Sequence, residues 1–209
     1  MRNINVRLIK MALQIDSAGL FCKNESEFYR EVSMNITTER LTIRRIVSED
    51  WESMKRIWDD QKLSQFACFD KPKDTNPDDV RKRIEKWASC ADSLEHMFFA
   101  VCLDGNLIGY VAFNSRENGY ETGYCFHSDY HGKGYAKESI TALIRMIQNK
   151  QPGVSITAGT ALENTPSVRL LQSLGFRQVG KESVSFYKED NGRDIWFDGG
   201  IFELPAVEI

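Results

Sequence analysis

The sequence predicts an α/β (α+β) chain in which a central mixed sheet carries helices on its faces. Three observations lead there. Apolar periodicity runs in the order strand, two helices, three strands, helix, strand, helix, strands. Residues 96–103, the pair Asp104-Gly105 and residues 106–113 form a hairpin signature. Two glycines, Gly132 and Gly134, stand where a strand gives way to a helix.

Each element has its own warrant. Residues 1–33 differ in tone from the rest, with Leu8, Met11 and Ile15 in a weak amphipathic stripe, and Met34 opens a stretch with the character of a protein start. Residues 1–35 are therefore read as an N-terminal extension, or equally as a helix on the domain edge, and 36–209 as the domain. Residues 40–46 alternate, with Leu41, Ile43 and Arg45 on one face of a first strand. Ser48, Glu49 and Asp50 suit a helix start whose apolar side is Trp51, Met54 and Trp58. Asn76 before Pro77 caps a second helix carrying Val80, Ile84, Trp87 and Ala91. Asn118-Gly119 turns the chain into the strand before the glycines. The helix after them shows Ala136, Ile140, Leu143, Ile144 and Ile147 at helical spacing and ends near Pro152-Gly153. Residues 154–161 read as a strand. Thr165 as cap, Pro166 in the first turn and Gly175 as terminator bracket a last helix, and the remainder reads as strands joined at Asn191-Gly192.

The totals exclude several classes. A net charge of −3 lacks the basic footprint of a nucleic-acid binder. No apolar run reaches the ~18 residues of a membrane span, so no membrane partner is expected. Five cysteines without a CxxC pair read as reduced thiols in a cytoplasmic protein. Three histidines and no HExxH give no support to a metal centre.

The glycine stretch carries the chemistry. A helix that begins near Gly134 has N–H groups without intrahelical partners, and its dipole adds partial positive charge. Gly132 and Gly134 have no Cβ, so a pyrophosphate can approach the main chain there. Lys133 adds a formal charge and His131 a donor. The P-loop pattern GxxxxGK[ST] is absent, and GxGxxG fails because position 137 is lysine. What remains is a shorter pattern, His131-Gly-x-Gly-x-Ala136, between strand and helix.

That loop, with the strand 121–127 before it and "ENTPSVRLLQSLGF" about thirty residues later, resembles the GNAT superfamily of acyl-CoA-dependent N-acetyltransferases, in its ribosomal-protein N-terminal acetyltransferase-like branch. The resemblance covers roughly residues 36–204. It implies a mostly antiparallel sheet whose middle strands splay apart, with the pantetheine of acetyl-CoA slotted between residues 121–127 and 154–160. It implies that backbone groups of Phe126 and His127 bond the pantetheine amides, and that the N–H groups of Gly132, Lys133, Gly134, Tyr135 and Ala136 hold the pyrophosphate. His131 stands where the family usually has Gln or Arg, and Asn164 matches an asparagine that reaches the coenzyme arm. A strand N–H near Phe126 would polarise the thioester carbonyl.

Acetyl transfer to an amine needs a proton acceptor, for which Glu121 is the candidate, directly or through water, against the plain reading of a solvent-facing strand glutamate. Relatives often protonate the leaving thiolate with a tyrosine four residues before the last glycine of "LGF". Leu171 occupies that position here, so either another donor serves, such as Tyr124 or Ser167 through water, or coenzyme A leaves as the thiolate. Cys125 beside the thioester site permits an acyl-cysteine, though a small buried strand residue is the commoner case. The expected partner is an amine, a small molecule or a protein N-terminus, and the expected state is a monomer or homodimer. A non-catalytic acyl-CoA sensor on the same fold is the alternative, and a nucleotide-binding protein a distant third.

Overall fold

The computed structural model describes residues 35–90 and 93–205, so the expected extension and Ala91 lie outside the described residues. In chain order the elements are β1 (Ile36–Thr37), β2 (Thr42–Arg45), α1 (Trp51–Lys62), α2 (Pro77–Ala88), β3 (His96–Leu103), β4 (Asn106–Arg116), β5 (Gly119–Phe126), α3 (Tyr135–Lys150), β6 (Ser155–Ala161), α4 (Thr165–Ser173), β7 (Arg177–Lys188) and β8 (Asp194–Leu204). The strands form one sheet in the order β1-β2-β3-β4-β5-β6-β8-β7. Among the described residues only the β5–β6 pair is parallel.

Strand alternation sorts the core into two layers. On one face Phe99, Val101, Tyr120 and Phe126 meet Ile140, Leu143, Ile144 and Ile147 of α3 and Leu171 of α4. On the other, Ala100, Cys102 and Tyr110 meet Met54, Ile57 and Trp58 of α1 and Val80 and Ile84 of α2. A fully buried aliphatic side chain contributes about 1.5–3 kcal/mol. The α3 stripe therefore fixes a 16-residue helix that alone would be marginal. Its N-terminus, the end that matters for chemistry, is held rigidly against the sheet.

The hairpin expected at Asp104-Gly105 is present, and both residues take positive φ (48° and 80°), as a two-residue turn joining twisted strands requires. Asn76 caps α2 as expected, accepting a bond from the Asp78 N–H at 3.0 Å. Two boundaries differ from the sequence reading. The first strand is preceded by the short β1, because Thr38 turns the chain, its N–H donating to the Leu41 carbonyl and its Oγ accepting the Leu41 N–H. The cap of α4 is Asn164, not Thr165: the Asn164 amide oxygen accepts from the Ser167 N–H, and Thr165 is already helical.

Candidate active site

β5 and β6 pair only through Gly119–Ser155, Tyr120–Ile156 and Glu121–Thr157. Beyond those residues they diverge, and a cavity of about 1350 Å³ opens between them. That exceeds the roughly 300–1000 Å³ of a pocket for one small ligand. The sheet decides which main-chain groups face the gap. The His127 N–H donates to the Ile108 carbonyl of β4 at 3.0 Å. Alternation then turns the main-chain groups of Tyr124 and Phe126 toward the opening. The Phe126 carbonyl is already engaged, accepting from His131 Nε2 at 2.8 Å. Among the described residues the Tyr124 main chain and the Phe126 N–H have no strand partner.

At the mouth of α3, Gly132 (φ 71°) and Gly134 (φ 84°) adopt the left-handed conformation, and Gly134 is the N-cap. Among the described residues no protein acceptor takes the N–H groups of Gly132 to Ala136. They remain as donors at the positive end of a helix dipole. Lys137 and Arg169 line the cavity as well, and of its lining carboxylates Asp60 is bonded to Ser128 and Asp70 pairs with Lys73. The loop end thus suits a polyanion.

A clip from the first hairpin secures this loop, and no sequence signal revealed it. Arg40 donates Nε to Glu138 Oε2 (2.8 Å), Nη1 to the Lys133 carbonyl (2.9 Å), and lays its guanidinium over the Tyr135 ring at 4.5 Å. Thr38 Oγ and the Arg40 N–H both donate to Glu138 Oε1 (2.6 and 3.0 Å). Burial works to raise the Glu138 pKa, but the bonds from Thr38 and Arg40 outweigh it and hold the carboxyl below its ordinary range. A depressed pKa contributes stability above the unfolded-state value, and that contribution disappears as pH falls through the folded one. Arg40→Ala is accordingly expected to cost about 1–2 kcal/mol and lower Tm by a few degrees. It should also raise KM for the acyl donor, with a Tm difference that narrows below about pH 4. Thermal melts across pH and donor saturation curves check this.

The sequence-predicted residues divide into two groups. Tyr124, Phe126, His131, Gly132, Gly134, Tyr135, Ala136 and Asn164 line the cavity. Glu121, His127 and Lys133 do not. Glu121 lies at the paired end of β5, bonded to Arg116 and opposite Asn114, which does line the cavity. Lys133 Nζ turns back to the Asp129 carbonyl, and His127 Nδ1 accepts the Asp129 N–H. Tyr124 OH and Ser167 Oγ are 2.9 Å apart on the α4 side of the gap. Burial raises the Tyr124 pKa against the opposing bond from Ser167, so the phenol keeps its proton. Burial likewise pushes the Cys125 thiol up to about 12, which leaves it a weak nucleophile and disfavours an acyl-cysteine. Leu171 is in the core, 1% exposed, with no route to the reaction.

Gly123 on β5 and Gly159 on β6 line the cavity as well, and neither needs a glycine backbone. A Cβ built on either meets nothing within 4 Å. Alternation puts both on the α1/α2 face, across from the α4 side where Tyr124 lies. Their absent side chains keep the gap open. Isolated glycines inside strands carried that signal in the sequence.

A family profile described as Acetyltransferase (GNAT) domain matches residues 40–177. The chain belongs to the GNAT acetyltransferase family. The match runs from the β1–β2 turn to the start of β7, so it includes the clip, the splayed strands, the glycine loop and α4. The GNAT chain is 28% identical over 170 residues to YnaD of Bacillus subtilis (strain 168), named an uncharacterized N-acetyltransferase, covering 78% of this chain and 92% of that one. Its fold matches the ribosomal-protein-S5-alanine acetyltransferase of Vibrio fischeri with a TM-score of 0.70 at 20% identity, over 84% of this chain and 98% of that one. It also matches the Microcin C7 self-immunity acetyltransferase MccE, solved with acetyl-CoA and AMP, with a TM-score of 0.67 at 17% identity, over 81% and 94%. Among the described residues of this GNAT domain no His, Cys, Asp and Glu cluster suited to a metal is found, and no helix is long and apolar enough to cross a membrane.

Proposed function

We propose that this N-acetyltransferase moves acetyl from acetyl-CoA to a primary amine by direct attack within a ternary complex, in the cytoplasm. The observation that carries the reading is the row of unpartnered N–H groups from Gly132 to Ala136, opening on the cavity between β5 and β6. The pyrophosphate would lie on those amides, with Lys137 and Arg169 adding charge. The pantetheine arm would extend along β5 as an added strand, bonding the Tyr124 main chain and the Phe126 N–H. His131 would act by holding the Phe126 carbonyl and so fixing the end of β5, and Asn164 by presenting its amide nitrogen from the start of α4.

In the reaction the amine lone pair attacks the thioester carbon, the C–N bond forms, and the C–S bond breaks. The Tyr124 N–H, next along the arm, would receive the developing oxyanion, leaving the Phe126 N–H and the Tyr124 carbonyl to the pantetheine amides. The ammonium proton would pass through water beside Asn114 to Glu121, since Glu121 itself stands back from the cavity. The departing thiolate would take its proton from the Tyr124–Ser167 pair, which fills the role that Leu171 cannot. Tyr124→Phe and Glu121→Gln are expected to lower kcat by about tenfold or more, with less change in coenzyme affinity. Thiol release with a panel of amines tests the whole reading. Coenzyme binding without release on any amine would replace it with the sensor.

A further inference from the structure

We propose that the α1/α2 half of the cavity selects a small amine with a flat apolar body and an oxyanion, carboxylate or phosphate, which Arg83 holds. The inference rests on the acetyltransferase reading of the same cavity and names its acceptor more closely.

The lining charges of this half are Asp60, Asp70, Lys73 and Arg83. Three of them are spent. Asp60 accepts both the N–H and the Oγ of Ser128, at 2.7 and 2.6 Å. Asp70 and Lys73 pair with each other and share Gln61. Arg83 has no carboxylate within ion-pair distance among the described residues, and its recorded contact is the face of Trp58, 5.3 Å from the ring centroid. A guanidinium held over a ring at a cavity wall keeps its planar donor fork for a ligand, and a carboxylate or phosphate matches that fork bidentately.

A second donor stands beside it. Tyr110 is 7% exposed, lines the same wall, and its oxygen accepts the Trp58 indole N–H at 3.4 Å. Among the described residues its own proton has no recorded acceptor, and a buried hydroxyl is costly to leave undonated. Arg83 and Tyr110 can therefore converge on one oxyanion. Around them Trp87 and Phe98 stack with ring centroids 4.2 Å apart, forming a flat apolar wall for the body of the acceptor. An amine without the anion leaves Arg83 and Tyr110 unpaired in a partly dry site, and that difference is the selectivity.

The test uses matched amines on the full chain saturated with coenzyme A, read by calorimetry, together with thiol release from acetyl-CoA. Phenylalanine against phenethylamine isolates the carboxylate, and phosphoethanolamine against ethanolamine the phosphate. At least a tenfold preference for the anionic member of one pair is expected, and the pair that shows it identifies the group. Arg83→Gln should bring that ratio near one, and Arg83→Lys should retain part of it, with unchanged coenzyme A affinity as the control for folding. Ratios near one in both pairs, or a preference that survives Arg83→Gln, overturn the assignment. Selective binding with no thiol release on any amine keeps the Arg83 site and sinks the acetyltransfer reading. Release without selectivity does the reverse.

Discussion

Gly123→Val is expected to abolish most acetyl transfer while leaving the fold and coenzyme affinity intact. A side chain at this position enters open space, since a Cβ there meets nothing within 4 Å. The backbone is ordinary strand, where valine is favoured over glycine, so stability should hold or rise. The new branch projects to the α1/α2 face of the gap, where the amine must approach. Displacing a reactant by even 1 Å costs roughly a hundredfold in rate, and two methyl groups displace it further. Thermal melting, coenzyme titration and thiol release on the same sample separate the three quantities. Unchanged turnover would mean that the amine enters from elsewhere.

Gly134→Val should act on the opposite ligand. Gly134 sits at φ 84°, a conformation that costs an L-residue about 1–2 kcal/mol and a β-branched one more. A Cβ there would also stand 3.3 Å from Arg40 Nη2, at the clip that secures the loop. The loop relieves both by rotating its amides away from the common ligand. Coenzyme affinity is expected to fall at least about tenfold, equivalent to some 1.4 kcal/mol. Circular dichroism should change little, because the α3 stripe is untouched, while Tm should fall by a few degrees, as for Arg40→Ala. An affinity equal to wild type would show that the coenzyme does not use this turn.

What the sequence disclosed depends on how far apart the interacting residues lie. Local signals were legible: the positive-φ pair Asp104-Gly105, the Asn76 cap, the α3 stripe and the glycine turn all rest on neighbours within a few positions. The splay of β5 from β6 came from family resemblance, because no local pattern says where a parallel pair stops. Arg40 and Glu138 meet across 98 residues, so only the fold brings the clip together. Nothing near Arg83 in the chain marks it out, because the ring it lies on, Trp58, stands 25 residues earlier. Glu121 shows the limit from the other side. Its position in the strand order was correct, but its carboxylate turns to Arg116, a partner that spacing does not reveal. The β1–β2 break was missed because Thr38 makes its turn with a side-chain hydroxyl and no glycine or proline.

The central claim is that the main-chain amides from Gly132 to Ala136 grip the pyrophosphate of the acyl carrier. An amide-resolved NMR titration of the full chain with coenzyme A tests it most directly. The account predicts large, saturable shifts of the Gly132, Lys133, Gly134, Tyr135 and Ala136 amide protons, diminished when pantetheine lacking the nucleotide is used instead. Saturable binding that leaves those five resonances in place would contradict it.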